Sequence, residues 1–583
     1  MSLEKKIEYL IFILIFVFLF GFSINQFYNQ HWTSILDQDP IIIYNSLLIS
    51  SGLDQEYRDH PGYTTFLILG GLFKFLSFFF ESFRIEEIMS SEKIDQNFQK
   101  LFYISRLLNT FYIFICSLIL FKILKELKVK FWISIFCSIL FIIHLSTFEL
   151  LYLIRSEIVS ILFYLLSIYS FLKFIHCNNK IYLIFSGFFI AFSLLAKIQV
   201  IFLIFTFLII IPQIIKYLSY KTESFQLALE NYNYNLAKVI ISVFLLFFIF
   251  YQSFVGLIFL NETNNSFLFL NNNLDFYFFI FFFIFYRVYI YYLDKNEIVN
   301  TKIVIFCLSL VIVGFILGVI FVFLLDIFKI IPAHNSIFLR ILNPLEFMNT
   351  YTVKSKLELV NIFVSIKDFF LIGLNNLSYD FNKYYEHKIF GIKSRLFFRT
   401  IYVSILLILI WISIRKIKNQ SINNMSFFIF GGILVYYFIL NIRETHGYNI
   451  YILCIYLILF SLILNQLSKN KSLLFSVILL SFFFIEHFSF SNIHKNSFKL
   501  EPRVYDICKN TDPDKWKNTT NYFNNRLFSS PIVMVDNINW WFETYLYNLH
   551  ANSESFFFRY CDQVNSFNEK EINFYFRNKI LIN

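Results

Sequence analysis

Long apolar runs alternate with short polar ones along most of this chain. Apolar segments lie near residues 7–25, 62–83, 101–121, 131–149, 156–175, 181–196, 198–215, 236–260, 276–293, 302–328, 399–414, 426–441, 447–465 and 471–487. Most reach 18 residues, enough for a helix to cross roughly 30 Å of hydrocarbon. The runs are continuous rather than alternating with period two, so they predict α-helices and not the strands of a membrane barrel. The first run follows Lys5 and Lys6, but Gly21-Phe-Ser-Ile-Asn25 does not supply a small-x-small cleavage pattern, so it reads as a retained span.

Charge then orders the runs. Lys122, Lys125, Lys128 and Lys130 belong in a cytoplasmic loop, yet fourteen strictly alternating spans from a cytoplasmic N-terminus would put them outside. Removing one upstream crossing restores the rule. Segment 62–83 carries Gly70, Gly71 and Lys74 directly after a charged cluster, which predicts a helix in the outer interface. The remaining thirteen spans then place Lys180, Lys216, Lys221, Lys295, the Arg415-Lys416-Ile-Lys418 run, Lys469 and Lys471 inside. The expected architecture is an all-α polytopic membrane protein of about 13 spans over residues 1–488. It has a first outer loop at 26–100 with interfacial helices and a late outer loop at 329–398. The segment 489–583 is polar, with a strand-like Pro531-Ile-Val-Met-Val-Asp536, and predicts a small α/β extracytoplasmic domain.

Composition narrows the function classes. The chain has 583 residues, 58% hydrophobic and 15% charged, which excludes an ordinary soluble enzyme. Its net charge of +10 is scattered over short loops, so it speaks to topology and not to nucleic acid. No Gly-rich phosphate loop is present, which argues against a soluble sugar-nucleotide site. Five of the seven cysteines lie in or beside apolar runs without metal-ligand spacing, while Cys508 and Cys561 could pair in an extracytoplasmic tail.

Four polar groups fall on the outer face in this topology. They are Asp37-Gln-Asp39-Pro, Arg58-Asp59-His60-Pro61-Gly62, Leu153-Ile-Arg155-Ser-Glu157, and Arg443-Glu444-Thr-His446. Carboxylates can deprotonate a hydroxyl or hold a divalent cation, and Arg forks suit phosphate oxygens. The plainer readings are helix ends for Arg155 and Glu157, a snorkelling anchor for Lys197, and a surface ion pair for Arg443 with Glu444.

The order of these motifs resembles the GT-C superfamily of membrane glycosyltransferases, in the branch of protein O-mannosyltransferases and lipid A aminoarabinose transferases. The shared features are a first span, an acidic loop, a charged pair before Pro61-Gly62-Tyr63, Ser105-Arg106-Leu-Leu-Asn109 opening the next span, an acid after the third span, and Leu195-Ala-Lys197. The resemblance covers residues 7–215, with later spans alike only in layout. It implies Asp39 as the first-loop acid, with Asp37 as its rival, and Glu157 as the second acid. Asp59 and His60 stand where the family has Glu-Lys, and His replaces the Lys. Arg58, His60, Lys197 and Arg443 then fall to the donor's phosphate, and Asp39 with Glu157 are the candidates for a divalent metal cation.

The function expected from this resemblance is transfer of a sugar from a polyprenyl-phosphate donor to a glycan, lipid or protein acceptor. The setting would be the outer face of a bacterial inner membrane. The rival classes are a polysaccharide polymerase or ligase, for which 329–398 would be the characteristic late loop, and a lipid-linked glycan flippase.

Overall fold

A computed structural model describes residues 3–28, 39–52, 62–84, 94–219, 284, 286, 288–291, 301–327, 422–429, 431–432, 449–467, 472 and 476–477. Every element among them is helical. These are α1 (Leu3–Tyr28), α2 (Asp39–Ser50), α3 (Tyr63–Ser77), α4 (Ile94–Glu126), α5 (Phe131–Ile143), α6 (Leu145–Tyr152), α7 (Ser156–Cys177), α8 (Ile181–Ala196), α9 (Ile201–Ser219), α10 (Thr301–Ile327) and α11 (Asn449–Gln466). Five helices, α1, α4, α7, α9 and α10, are long and apolar enough to cross a membrane. The predicted C-terminal α/β domain, the late outer loop and several predicted spans lie outside the described residues.

Helix directions follow from the contacts at each end. Glu8 of α1 pairs with Lys122 of α4, and Thr110 Oγ1 donates to Ser23 Oγ at 2.9 Å. The two helices are therefore antiparallel, and the chain leaves α1 and enters α4 at the same end of the bundle. Between Tyr28 and Ile94 the chain therefore crosses the bundle an even number of times. The helix formed there, α3, has 15 residues, about 22 Å. Length alone does not set it apart, because α5 with 13 residues and α8 with 16 are also short.

One apolar run departs from expectation. Segment 131–149 is not a single helix: it breaks at His144, whose backbone is extended (φ −64°, ψ 139°). The His144 ring accepts from Ser146 N–H at 3.2 Å and so caps a new helix, α6. A polar ring competes there with the helix for its own backbone, which hydropathy does not register.

Two interfaces hold the core. Between α7 and α8, Ser160 Oγ donates to Ser193 O at 3.0 Å, Ser193 Oγ returns to Ser160 O at 2.7 Å, and the Ser167 and Ser186 hydroxyls meet at 3.0 Å. These pairs are seven residues apart on both helices, so one polar stripe runs down each. Between α8 and α10 the contact is steric. A Cβ at Gly187 would overlap the Val311 carbonyl, one at Gly314 the Ile184 carbonyl, and one at Gly318 the Ala191 side chain. Gly314-Phe-Ile-Leu-Gly318 thus meets Gly187-Phe-Phe-Ile-Ala191, small residues four apart that let two backbones touch.

One end of the bundle is basic. Lys122 to Lys130 close α4 there, with Lys128 left-handed (φ 59°) and its turn clamped by Asn465, which accepts from Lys130 N–H at 3.1 Å and donates to Lys128 O at 3.2 Å. Glu126 takes Lys173 at 2.5 Å and His176 at 3.3 Å. The left-handed Asn178 ends α7 at the same level.

Candidate functional site

The opposite end holds a second group of buried charges. On α4, Arg106 stands twenty residues before Glu126, about 30 Å along the helix and one hydrocarbon thickness away. Arg106 is 1% exposed, its guanidinium lies 5.5 Å from the Phe102 ring centroid, and it is within electrostatic reach of Asp39. Asp39 opens α2 fully buried, where a carboxylate is favoured by the helix dipole. Its Oδ1 accepts a hydrogen bond from Ile154 N–H.

Glu157 lies in the first turn of α7 and is also fully buried. Its Oε1 stands 3.3 Å from Lys197 Nζ and 3.7 Å from an Arg155 guanidinium nitrogen. Lys197 follows the last residue of α8 and is buried. The serine stripe explains the meeting. Antiparallel register through Ser160–Ser193, continued one turn toward the helix ends, brings Glu157 opposite Lys197.

Thr64, in the first turn of α3, donates to Phe192 O at 2.8 Å and so seats that helix against the end of α8. Ile154 and Glu157 are three residues apart, so their Cα atoms are within about 11 Å. Asp39 and Glu157 therefore belong to one neighbourhood, although they are far apart in sequence. Arg155 and Glu157 do stand at a helix end, as the plainer reading has it, but neither Arg155 nor Lys197 reaches out to the surface: both are buried and face Glu157.

Of the residues singled out from sequence, the structure brings together Arg155, Glu157 and Lys197, with Asp39 joined to them through Ile154. Asp37, Arg58, Asp59, His60 and Arg443 lie outside the described residues. Two residues of the quoted Ser105–Asn109 motif join the cluster without having been assigned a role, Arg106 and Asn109. The signal for Arg106 was available, as an arginine within an apolar helix that had no predicted partner.

Glu157 already faces two cations, and among the described residues no group of three or more His, Cys, Asp or Glu could hold a metal ion. These residues do not fit a divalent cation at Glu157. What the described side chains offer there is three cations, Arg106, Arg155 and Lys197, with two carboxylates, Asp39 and Glu157. No protein family, curated protein or solved structure matches this chain.

Proposed function

We propose that the charged end of the bundle is the active site of a membrane glycosyltransferase, moving a sugar from a polyprenyl-phosphate donor to a glycan, lipid or protein acceptor. The observation that carries this reading is the buried cluster of three cations and two carboxylates at one end of apolar helices. Ionisable groups in that setting are costly and are kept mainly for chemistry or substrate contact. Their position at an end, away from mid-membrane, suits a headgroup at the interface.

In this reading Asp39 takes the proton from the acceptor hydroxyl as its oxygen attacks the sugar's anomeric carbon. The bond from that carbon to the phosphate oxygen breaks, and the phosphate leaves with the electron pair. Lys197, Arg155 and Arg106 stabilise the charge that develops on it. Glu157 keeps Arg155 and Lys197 aligned. A single displacement of this kind inverts the anomeric centre. The face concerned would be the outer one of a bacterial inner membrane, because the opposite end carries the lysine-rich turns.

The test is incubation of purified protein with a panel of polyprenyl-phosphate sugars, reading release of lipid phosphate and its dependence on acceptor. Release that disappears in Asp39→Asn supports the proposal. Movement of lipid-linked sugar across liposomes without phosphate release would replace it with a flippase.

A further inference from the structure

Asn109 lies in α4 one turn beyond Arg106 and is 2% exposed. Its side-chain amide donates to Leu150 O at 3.2 Å and to Leu153 O at 2.5 Å. The first of these carbonyls belongs to the last turn of α6, where a helix leaves its carbonyls without internal partners. The residue that ends α6 is Leu153, extended at φ −111° and ψ 132°, so no left-handed cap closes the helix. The cap comes instead from another helix. Only a group with two hydrogens on one atom can serve both carbonyls, and an Asn amide has them.

Leu153 and Arg155 (φ −133°, ψ 148°) are both extended before α7 begins. Between them, Ile154 turns its N–H to Asp39 Oδ1. One amide thus fixes the connector, and the connector fixes the carboxylate and delivers Arg155 and Glu157 beyond it. We infer that Asn109 is a positioning residue for Asp39, acting through the 150–154 backbone. The importance of that to turnover rests on the proposed transferase reading. The geometry itself does not.

The experiment uses the full-length protein in detergent, with Asn109→Ala and Asn109→Asp. Two readouts need no activity: hydrogen exchange of peptides spanning 150–157, and the rate at which an apolar carbodiimide labels Asp39, which reports how often that carboxyl is protonated. An N–H donated to a carboxylate favours its charged form, so losing the donor raises labelling. At about pH 8, both variants should label Asp39 about fivefold faster, the worth of one hydrogen bond. Exchange should rise over 150–157 and not in the interiors of α4 and α7.

Lowering the pH to about 5 should protonate part of the new carboxyl in Asn109→Asp, return one donor, and restore protection over 150–157. Asn109→Ala should show no such return. Unchanged labelling and exchange in a folded variant would overturn the inference, as would exchange that rises equally along the whole chain. If Asn109→Ala does not fold, the near-isosteric Asn109→Asp decides. In the transfer assay kcat should fall while the donor KM holds. A protein inactive on every donor that still shows the Asp39 changes would retain the positioning role and discard the transferase.

Discussion

Glu157 faces two cations while Asp39 receives a backbone N–H, and this difference separates what their substitutions should do. Glu157→Gln leaves Lys197 and Arg155 buried without their countercharge, a loss of about 3 kcal/mol that a thermal melt in detergent should register. Adding Lys197→Met should recover part of it, because the double variant buries fewer unpaired charges; a further fall would show that the pair does not interact. Asp39→Asn keeps an oxygen for Ile154 N–H but cannot take a proton. Lipid-phosphate release should drop by roughly 10²–10⁴-fold while the helical spectrum is retained. At this scale the residue types were legible in the sequence, since carboxylates and cations in so apolar a chain are conspicuous. Their pairing was not. The Glu157–Lys197 contact depends on the register of α7 against α8, which is set by serines one and about three turns further in.

The α8–α10 contact has no slack, because backbone carbonyls stand where side chains would begin. Gly187→Leu or Gly314→Leu should therefore lower the melting temperature sharply, or prevent accumulation of folded protein. Gly71→Ala meets nothing within 4 Å and should be neutral, or stabilising by about 0.5–1 kcal/mol, as expected for a helical glycine. Equal tolerance at Gly187 and Gly71 would reject the close approach. Hydropathy located these elements well: α8 matches its predicted 181–196, and α7 and α10 begin within a residue of expectation. It failed at 131–149, where His144 uses its ring to start a second helix inside one apolar run.

Across the whole molecule, the described charges divide between two ends. The basic turns at Lys128–Lys130 and Asn178–Lys180 stand opposite Asp39, Glu157 and Lys197. Alkaline phosphatase fused after Lys130 or Lys180 should be inactive in the cytoplasm, and fused after Lys197 it should be active outside. The reverse pattern would move the candidate site to the cytoplasmic face and discard the proposed donor geometry. Sequence alone determined that the chain is helical and apolar enough for a membrane, and which short loops carry its lysines. Run length against hydrocarbon thickness and the distribution of lysines are local quantities, readable one segment at a time. The tertiary structure decided the return of the chain between Tyr28 and Ile94 to its own end, the burial of Arg106 within electrostatic reach of Asp39, and the capping of α6 by Asn109. Each of these depends on which helix faces which, and that follows from glycine contacts and serine registers across interfaces rather than from any single run.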